Sequence, residues 1–414
     1  MIQMEINDNL ETNFMKEAVS VLQSVRAAFA ELLASLPGEI SNAAVLQRTL
    51  KTSANLSWKA FKVASACTPL EAGLYVPGPS NLRALVKAAA RSGVPERVIS
   101  ATLAAGDNFE RLIAKHAGDR SVFESMIGPH AAPEDSAQIN LVHRRAAFRA
   151  NRHLWGTQAR QHLKCVFMQP DESGDMVDVA RIEGYIDLTR LHPLAPMIIS
   201  LNRLTNDDGT IRQVVRQPLD PQGETEHGIA PLREFCSKPL PEFRTLKASG
   251  NYISAELANP GVGNEAAITC IEGHVTRSAV PRYRDEANLV GRNGATVRIP
   301  CESLVLDLLV REGTIGDKRP AVDIHLLQPT GQWGGVDARE CDYLSANESV
   351  AYLGRGPSAL QSRDTPRYVE LARYVFDRLN WDKERFDVFR CQMAYPVLSS
   401  SVVMRFDLPE RPAK

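Results

Sequence analysis

The sequence predicts an α+β protein: an all-α N-terminal domain with a helix-turn-helix-like pair, then a β-rich mixed C-terminal domain. Three observations carry this. Apolar residues recur at helical spacing from about residue 11 to 127. A Pro/Ala/polar stretch follows, GPHAAPEDSAQINLV. Beyond it come short apolar or alternating runs separated by Gly, Pro and Asn/Asp. The expected division is 1–128 for the helical domain, 129–162 for a linker and basic junction, and 163–414 for the β-rich domain. A chain of 414 residues is too long for one core, so two or three domains are expected.

The first helix is read over Glu11–Leu36, with Ala18, Leu22, Val25, Phe29 and Leu32 forming a narrow apolar stripe. That stripe suits packing on its own domain or pairing with a second copy. Pro37-Gly38 ends it. Helices over Glu39–Leu50 and Leu56–Cys67 follow. Thr68-Pro69-Leu70-Glu71 is a helix start, with Thr68 as cap, Pro69 in the first turn and Glu71 as capping-box partner. Ser80 is expected to cap Asn81–Arg91, Pro95 to open a helix to about Ala117, and Asp119 to cap a last short one.

In the second half, strands are expected around Lys164–Met168, Val177–Leu188, Ala267–Val275, Ala295–Ile299, Ser303–Val310, Ala321–Leu327 and Asp387–Met393. Pro366–Leu379 is the one clear helix there, with Thr365 as its expected cap. Residues 205–265 are rich in loop signals.

The formal net charge is −1, so any nucleic-acid surface must be a local patch. The acidic start lacks a secretory pattern, no run reaches the roughly 20 apolar residues of a spanning helix, and seven scattered cysteines read as reduced thiols. The expectation is a cytoplasmic protein without membrane contact.

Asn42–Cys67 is the segment that points to a partner. Its second helix places Leu56, Ala60, Val63, Ala64 and Cys67 on a buried stripe. The opposite side carries Asn55, Trp58, Lys59 and Lys62. Lys neutralises phosphate or reaches guanine, and Asn pairs with adenine, so this side reads as a recognition surface for double-stranded DNA. The turn has Lys51 or Thr52 where Gly is frequent, and Gln47 stands where Ala is frequent. Two adjacent helices with a solvated basic face explain the same pattern.

The segment from Leu50 to Val94, with DNFERLIAKHAGDRSVFESMI, AAFRANRHLWGTQAR, IDLTRL and YPVLSSSVVMRFDLPE, resembles an uncharacterised bacterial family with a helix-turn-helix-like N-terminus. The resemblance spans nearly the whole chain. It implies a transcriptional regulator and carries no catalytic residue across.

Between His143 and Lys164 lie Arg144, Arg145, Arg149, Arg152, Arg160 and Lys164, without an acidic residue and interleaved with Phe148 and Trp155. This suits a phosphate backbone with base stacking, a structural junction in which the arginines fork to carboxylates, or contact with an anionic small molecule. Arg144, Arg145, Arg149 and Arg152 join the candidate DNA-binding set.

No P-loop, GxSxG, HExxH or CxxC occurs. Gly354-Arg355-Gly356 reads as a turn, and His192, His227, His274 and His325 are isolated. Asp171, Glu172 and Asp175 read as a solvated turn. Glu183 and Asp187 share a strand face by spacing, with Arg181 or Arg190 as expected ion-pair partners. Arg277, Arg282 and Arg284 flank Tyr283 and read as a solvated loop or an anion cradle. The expected function is a homodimeric DNA-binding regulator whose C-terminal domain senses a ligand, binds a partner or adds to dimerisation. No catalytic residue, metal or cofactor is expected. The alternatives are a protein-interaction module without DNA binding, and an enzyme with a site in the C-terminal domain.

Overall fold

The computed structural model describes residues 2–128, 133–203, 216–223, 229–247, 252–258, 261–286, 289–326, 343–344 and 348–412. The chain is α+β and divides into two compact units, 1–138 and 139–414. No helix among the described residues is long and apolar enough to cross a membrane. The six cysteines among them are free thiols.

In the first unit, α1 (Ile2–Ala34) packs on α6 (Glu96–His116), α3 (Ala54–Ser65) and α4 (Pro69–Tyr75). Its stripe of Ala18, Leu22, Val25, Phe29 and Leu32 is wholly buried within the unit, so it is not a free face for a second copy. Glu17 clamps α1 to α6 through Lys115 (2.7 Å) and His116 (2.8 Å). Between them, α2 (Ala43–Leu50) touches both α3 and α5 (Pro79–Arg91), and α7 (Arg120–Ile127) closes the unit.

The helix starts follow local chemistry. Thr68 and Glu71 form the expected capping box, and Asp119 accepts from Ser121 and Val122 N–H. Ser80 does not cap: α5 begins at Pro79 behind Gly78, because proline's fixed φ suits the first helical position. Gly106 lies where α5 crosses α6, and a Cβ there would overlap the Leu82 side chain.

The stretch 133–142, read from sequence as linker, is helical: α8 (Pro133–Trp155) runs through it and through the basic segment. Proline in the first turn, Glu134-Asp135 beside it and Arg152-His153 in the last turn all favour a helix of that span. Residues 129–132 lie outside the described residues.

The second unit is built on a sheet of seven described strands that come from distant parts of the chain. In chain order the described strands are β1 (Thr157–Pro170), β2 (Met176–Arg190), β3 (Ile198–Arg203), β4 (Gln217–Pro218), β5 (Phe243–Lys247), β6 (Tyr252–Leu257), β7 (Ile268–Pro281), β8 (Val290–Thr296), β9 (Cys301–Arg311), β10 (Ala321–Leu326), β11 (Ala351–Arg355), β12 (Phe386–Ala394) and β13 (Ser400–Asp407). The main sheet has the order β11-β12-β9-β1-β2-β7-β4. Among the described residues only β1 and β9 pair in parallel. Among the described residues the unit also holds two three-stranded sheets, β10-β13-β8 and β3-β6-β5. The strand expected at Ala295–Ile299 is instead Val290–Thr296, which pairs with β13. The loop-rich stretch 205–265 holds β4, β5 and β6, and its residues 205–215, 224–228, 248–251 and 259–260 lie outside the described residues.

Period-two alternation sends Leu163, Cys165 and Phe167 of β1 to one face and Val166 and Met168 to the other. The first face packs against α9 (Tyr368–Leu379), where Phe376 meets Phe167 and Phe386 edge-on. The second packs against both small sheets. Gly184 is required by close approach, since a Cβ there would strike the Cys270 carbonyl oxygen.

Under α9 lies a fully buried carboxylate. Asp307 of β9 is paired with Arg390 of β12 at 2.7 and 2.8 Å and accepts from the Tyr368 hydroxyl at 2.6 Å. Burial pushes its carboxyl up against the opposing pull of Arg390. Thr365 does not cap α9. Its hydroxyl is buried and donates to Gln161 Oε1 at 2.6 Å, while Arg367, in the left-handed region, precedes the helix. Replacing Arg390 with Met is expected to cost about 3–5 kcal/mol, because Asp307 is left buried and unpaired. Adding Asp307→Leu to that variant is expected to recover much of the loss. A double-mutant cycle by urea denaturation checks both.

Candidate nucleic-acid interface

A short turn joins α2 to α3, and both helices are capped. Asn42 caps α2 by accepting from Val45 N–H at 3.0 Å, and Ser53 caps α3 by accepting from Leu56 N–H at 3.3 Å. Lys51 takes the left-handed conformation usually held by Gly, with φ 53° and ψ 42°, and its N–H closes on the Gln47 carbonyl. Thr52 and the buried Ser57 share a 2.7 Å hydroxyl contact that seats the turn on α3.

The buried side of α3 is Leu56, Ser57, Ala60 and Val63. Cys67 is not part of it: α3 ends at Ser65, and Cys67 is exposed, with its N–H held by Glu71 at 2.7 Å. Asn55, Trp58, Lys59 and Lys62 occupy the opposite arc. Asn55 and Trp58 are exposed, while Lys59 and Lys62 are half-buried. Trp58 stands edge-on to Tyr75 of α4 at 5.2 Å, and the Lys62 ammonium lies 5.3 Å from the same ring. One edge of the face is therefore fixed by α4.

Sequence reasoning missed the wider charge pattern. From Asn42 to Pro95 there are seven basic residues and one acid, a formal charge of +6 in a chain of −1. The acid is Glu71, whose side chain is spent on the capping box. Arg48, Lys51, Arg83, Lys87 and Arg91 are exposed, and among the described residues none of the seven basic side chains pairs with a carboxylate. Arg83, Lys87 and Arg91 follow at four-residue steps along α5. The signal was present as a near-absence of acids.

The arginines of α8 are mostly committed elsewhere. Arg144 forms a 2.6 Å ion pair with Glu348, Arg145 lies 5.8 Å from the Tyr395 ring, and Arg152 covers Phe148 and donates to Gln158 at 3.1 Å. Arg149 is exposed. The structure does not bring together the three arginines that flank Tyr283. Arg277 pairs with Asp178, Arg282 donates to the Gly174 and Gly313 carbonyls, and Arg284 pairs with Glu410. Asp171 organises its own turn by accepting from Ser173 and Gly174.

The second unit holds a separate concentration of titratable groups. Antiparallel register aligns Lys164, Glu183 and Glu272 across β1, β2 and β7, with Arg181 opposite His274 in the next row. Glu183 accepts from Lys164 at 2.6 Å and contacts His162 at 3.1 Å. Its expected partners Arg181 and Arg190 are displaced by these cross-strand neighbours. Asp187 leaves the Glu183 face at a bulge, where its φ is 51°, and pairs with Arg160. Burial pushes the Glu183 carboxyl up, but Lys164 and His162 override it and hold it well below the carboxylate range. Burial and the adjacent Glu183 push Glu272 up to about 7. Burial, then Arg216, Arg181 and Lys164, push His274 down to about 3. His192 accepts from Leu194 N–H and His325 packs on Tyr343. His227 lies outside the described residues.

These shifts set opposing pH slopes. Glu272 contributes stability that is full below its ordinary value near 4.5 and is lost as pH rises through about 7. His274 is charged when unfolded below its ordinary value near 6.5, so it contributes stability gained as pH rises from about 3 toward 6.5. Across roughly pH 4.5–6.5 the two are expected to offset. Glu272→Gln should leave stability rising with pH, and His274→Asn should leave it falling. Urea midpoints at several pH values check this, and equal slopes in the two variants would refute it.

No family model matches the chain, and no curated protein matches it. Among solved structures, a chain from Parabacteroides distasonis ATCC 8503, described as a protease candidate, is similar at 9% identity and a TM-score of 0.24. The likeness covers 61% of this chain and 41% of that one, less than half its length.

Proposed function

We propose that the first unit binds double-stranded DNA through α2 and α3, with α5 adding phosphate contacts, in a homodimeric regulator of transcription. The observation that carries this is the +6 charge of Asn42–Pro95, with no carboxylate partner among the described residues, around two capped helices joined by a short turn. Asn55 and Lys59 present donors to base edges, and Arg48, Lys51, Arg83, Lys87 and Arg91 face phosphates. In a two-fold dimer, two α3 helices would meet successive major grooves roughly 34 Å apart. The second unit is assigned the sensing, partner-binding or dimerising part.

Fluorescence anisotropy with a random-sequence duplex tests the electrostatic term. The affinity is expected to fall steeply with salt. Lys59→Glu and Lys87→Glu should each weaken binding and reduce the log–log salt slope by roughly 1 or more. Binding that ignores salt and both substitutions would sink the proposal. Sedimentation of the full chain with and without duplex reads the dimer directly.

A further inference from the structure

Two cysteines far apart in the sequence meet at the edge of β7. The segment 229–237 runs along that strand. Gly273 N–H donates to the Ala230 carbonyl and Leu232 N–H to the Ile271 carbonyl, each at 2.8 Å, and Pro231 pairs antiparallel with Glu272. Ser237 N–H then donates to the Thr269 carbonyl, and Thr269 N–H to the Ser237 hydroxyl, both at 2.8 Å. One step inward from that contact, Cys236 faces Cys270 of β7. The Cys236 Sγ accepts from Ile271 N–H at 3.4 Å and lies 3.4 Å from the Ile271 carbonyl oxygen, so it rests on the residue bonded to Cys270. Facing residues of antiparallel backbones stand about 4.5–5.5 Å apart at Cα, within the roughly 4.4–6.8 Å that a disulfide spans.

The pair differs chemically from the other buried thiols. Burial pushes Cys301 and Cys391 up to about 12, and Cys165 well above its ordinary value, so these three stay protonated and inert. Cys236 goes the other way. The Cys270 thiol beside it, helped by Ile271 N–H, pulls it below its ordinary value against the effect of burial. The same contact, with burial, pushes Cys270 up. One thiol is thus favoured as the thiolate and its neighbour as the proton-bearing partner. Both are buried, at 8% and 3% exposure, yet the chain reaches solvent at Lys238, two residues beyond Cys236. An oxidant the size of a peroxide needs only a local opening there.

We propose that Cys236 and Cys270 form a reversible disulfide when the protein meets a peroxide. The Cys236 thiolate attacks one peroxide oxygen and the O–O bond breaks, leaving a sulfenic acid and a hydroxide. The hydroxide takes up the proton that Cys236 lost on ionising. The Cys270 sulfur then attacks the sulfenic sulfur, and its thiol proton leaves with the displaced hydroxide as water. The net change oxidises two thiols to one disulfide and reduces one hydrogen peroxide to two waters. The new bond staples the segment 229–237 to β7 and closes the intervening chain, with β5 and β6, into a covalent loop. A dithiol reductant reopens it by exchange. The inference stands on the second unit alone and does not depend on whether the first unit binds DNA.

Peptide mapping of the full chain under non-reducing conditions, after hydrogen peroxide and alkylation of the remaining thiols, tests it. A linked Cys236–Cys270 peptide pair should appear, lighter by two hydrogens than the separate peptides, and dithiothreitol should remove it. Cys67→Ser should leave the linked pair in place. In Cys270→Ser the second step is blocked, so dimedone should label Cys236 as its sulfenic acid. In Cys236→Ser, Cys270 should stay unlabelled. Protein of native circular dichroism in which peroxide oxidises the exposed Cys67 but leaves Cys236 and Cys270 free would overturn the proposal. So would a linkage that forms only in urea, Cys236 joined to a different cysteine, or dimedone on Cys270 and not on Cys236.

Discussion

A single buried carboxylate constrains the second unit more than any apolar contact does. Asp307 has no solvent contact, so its charge must be met by partners that arrive from elsewhere in the chain. Arg390 stands directly opposite it in the β9–β12 register, and Tyr368 reaches it from α9. A one-residue slip of β12 would turn Arg390 to the other face, which Leu304, Leu306 and Leu308 of β9 line, and leave both charges unpaired. The pairing is a weak source of net stability and a strong penalty on alternatives. It fixes the register of β12 and the seat of α9 together, and the aromatic packing of Phe167, Phe376 and Phe386 follows from that seat.

The second face of the same sheet is not uniform. Where β9, β12 and the start of β2 lie under the small sheets, the outward residues are Leu304, Leu306, Leu308, Val177 and Val179. Toward β7 the outward positions become Lys164, Arg181, Glu183, Glu272 and His274. A single face thus carries both core and charge, divided along its length. Antiparallel pairing then brings like carboxylates into opposition at Glu183 and Glu272, an arrangement that costs stability unless protons or cations intervene. Lys164 and His162 hold one carboxylate ionised, and burial beside it holds the other partly protonated.

Much of the architecture was legible because it is local. The α1 stripe, the Thr68–Glu71 capping box, the Asp119 cap and the alternating runs of β1, β2 and β9 each declare themselves within a short segment. What was not legible depends on register or competition. Glu183 and Asp187 share a face by counting, but a bulge near Asp187 separates them. Thr365 looks like a cap, yet a buried Gln161 takes its hydroxyl. The 133–142 stretch looks like a linker by composition, yet its acidic start and basic end suit a helix. The Lys164–Glu183–Glu272 row joins strands far apart in the chain, which no spacing rule detects.

The placement of the basic side chains also changes where a DNA reading must rest. Sequence spacing assigns the phosphate contacts to the arginines following residue 143, but Arg144, Arg145 and Arg152 are held by Glu348, Tyr395 and Phe148. A guanidinium already paired must give up that partner before it can meet a phosphate, and the exchange gains little. The charges of Asn42–Pro95 have no carboxylate to surrender among the described residues. Tyr75 moreover restrains Trp58 and Lys62 on one edge of α3, so less side-chain entropy is lost when that edge meets a ligand. Lys51 keeps a strained left-handed turn that Gly would adopt freely, and it places one further cation at the junction of α2 and α3. Residue for residue, these features favour the helix pair and α5 over α8 as the electrostatic footprint.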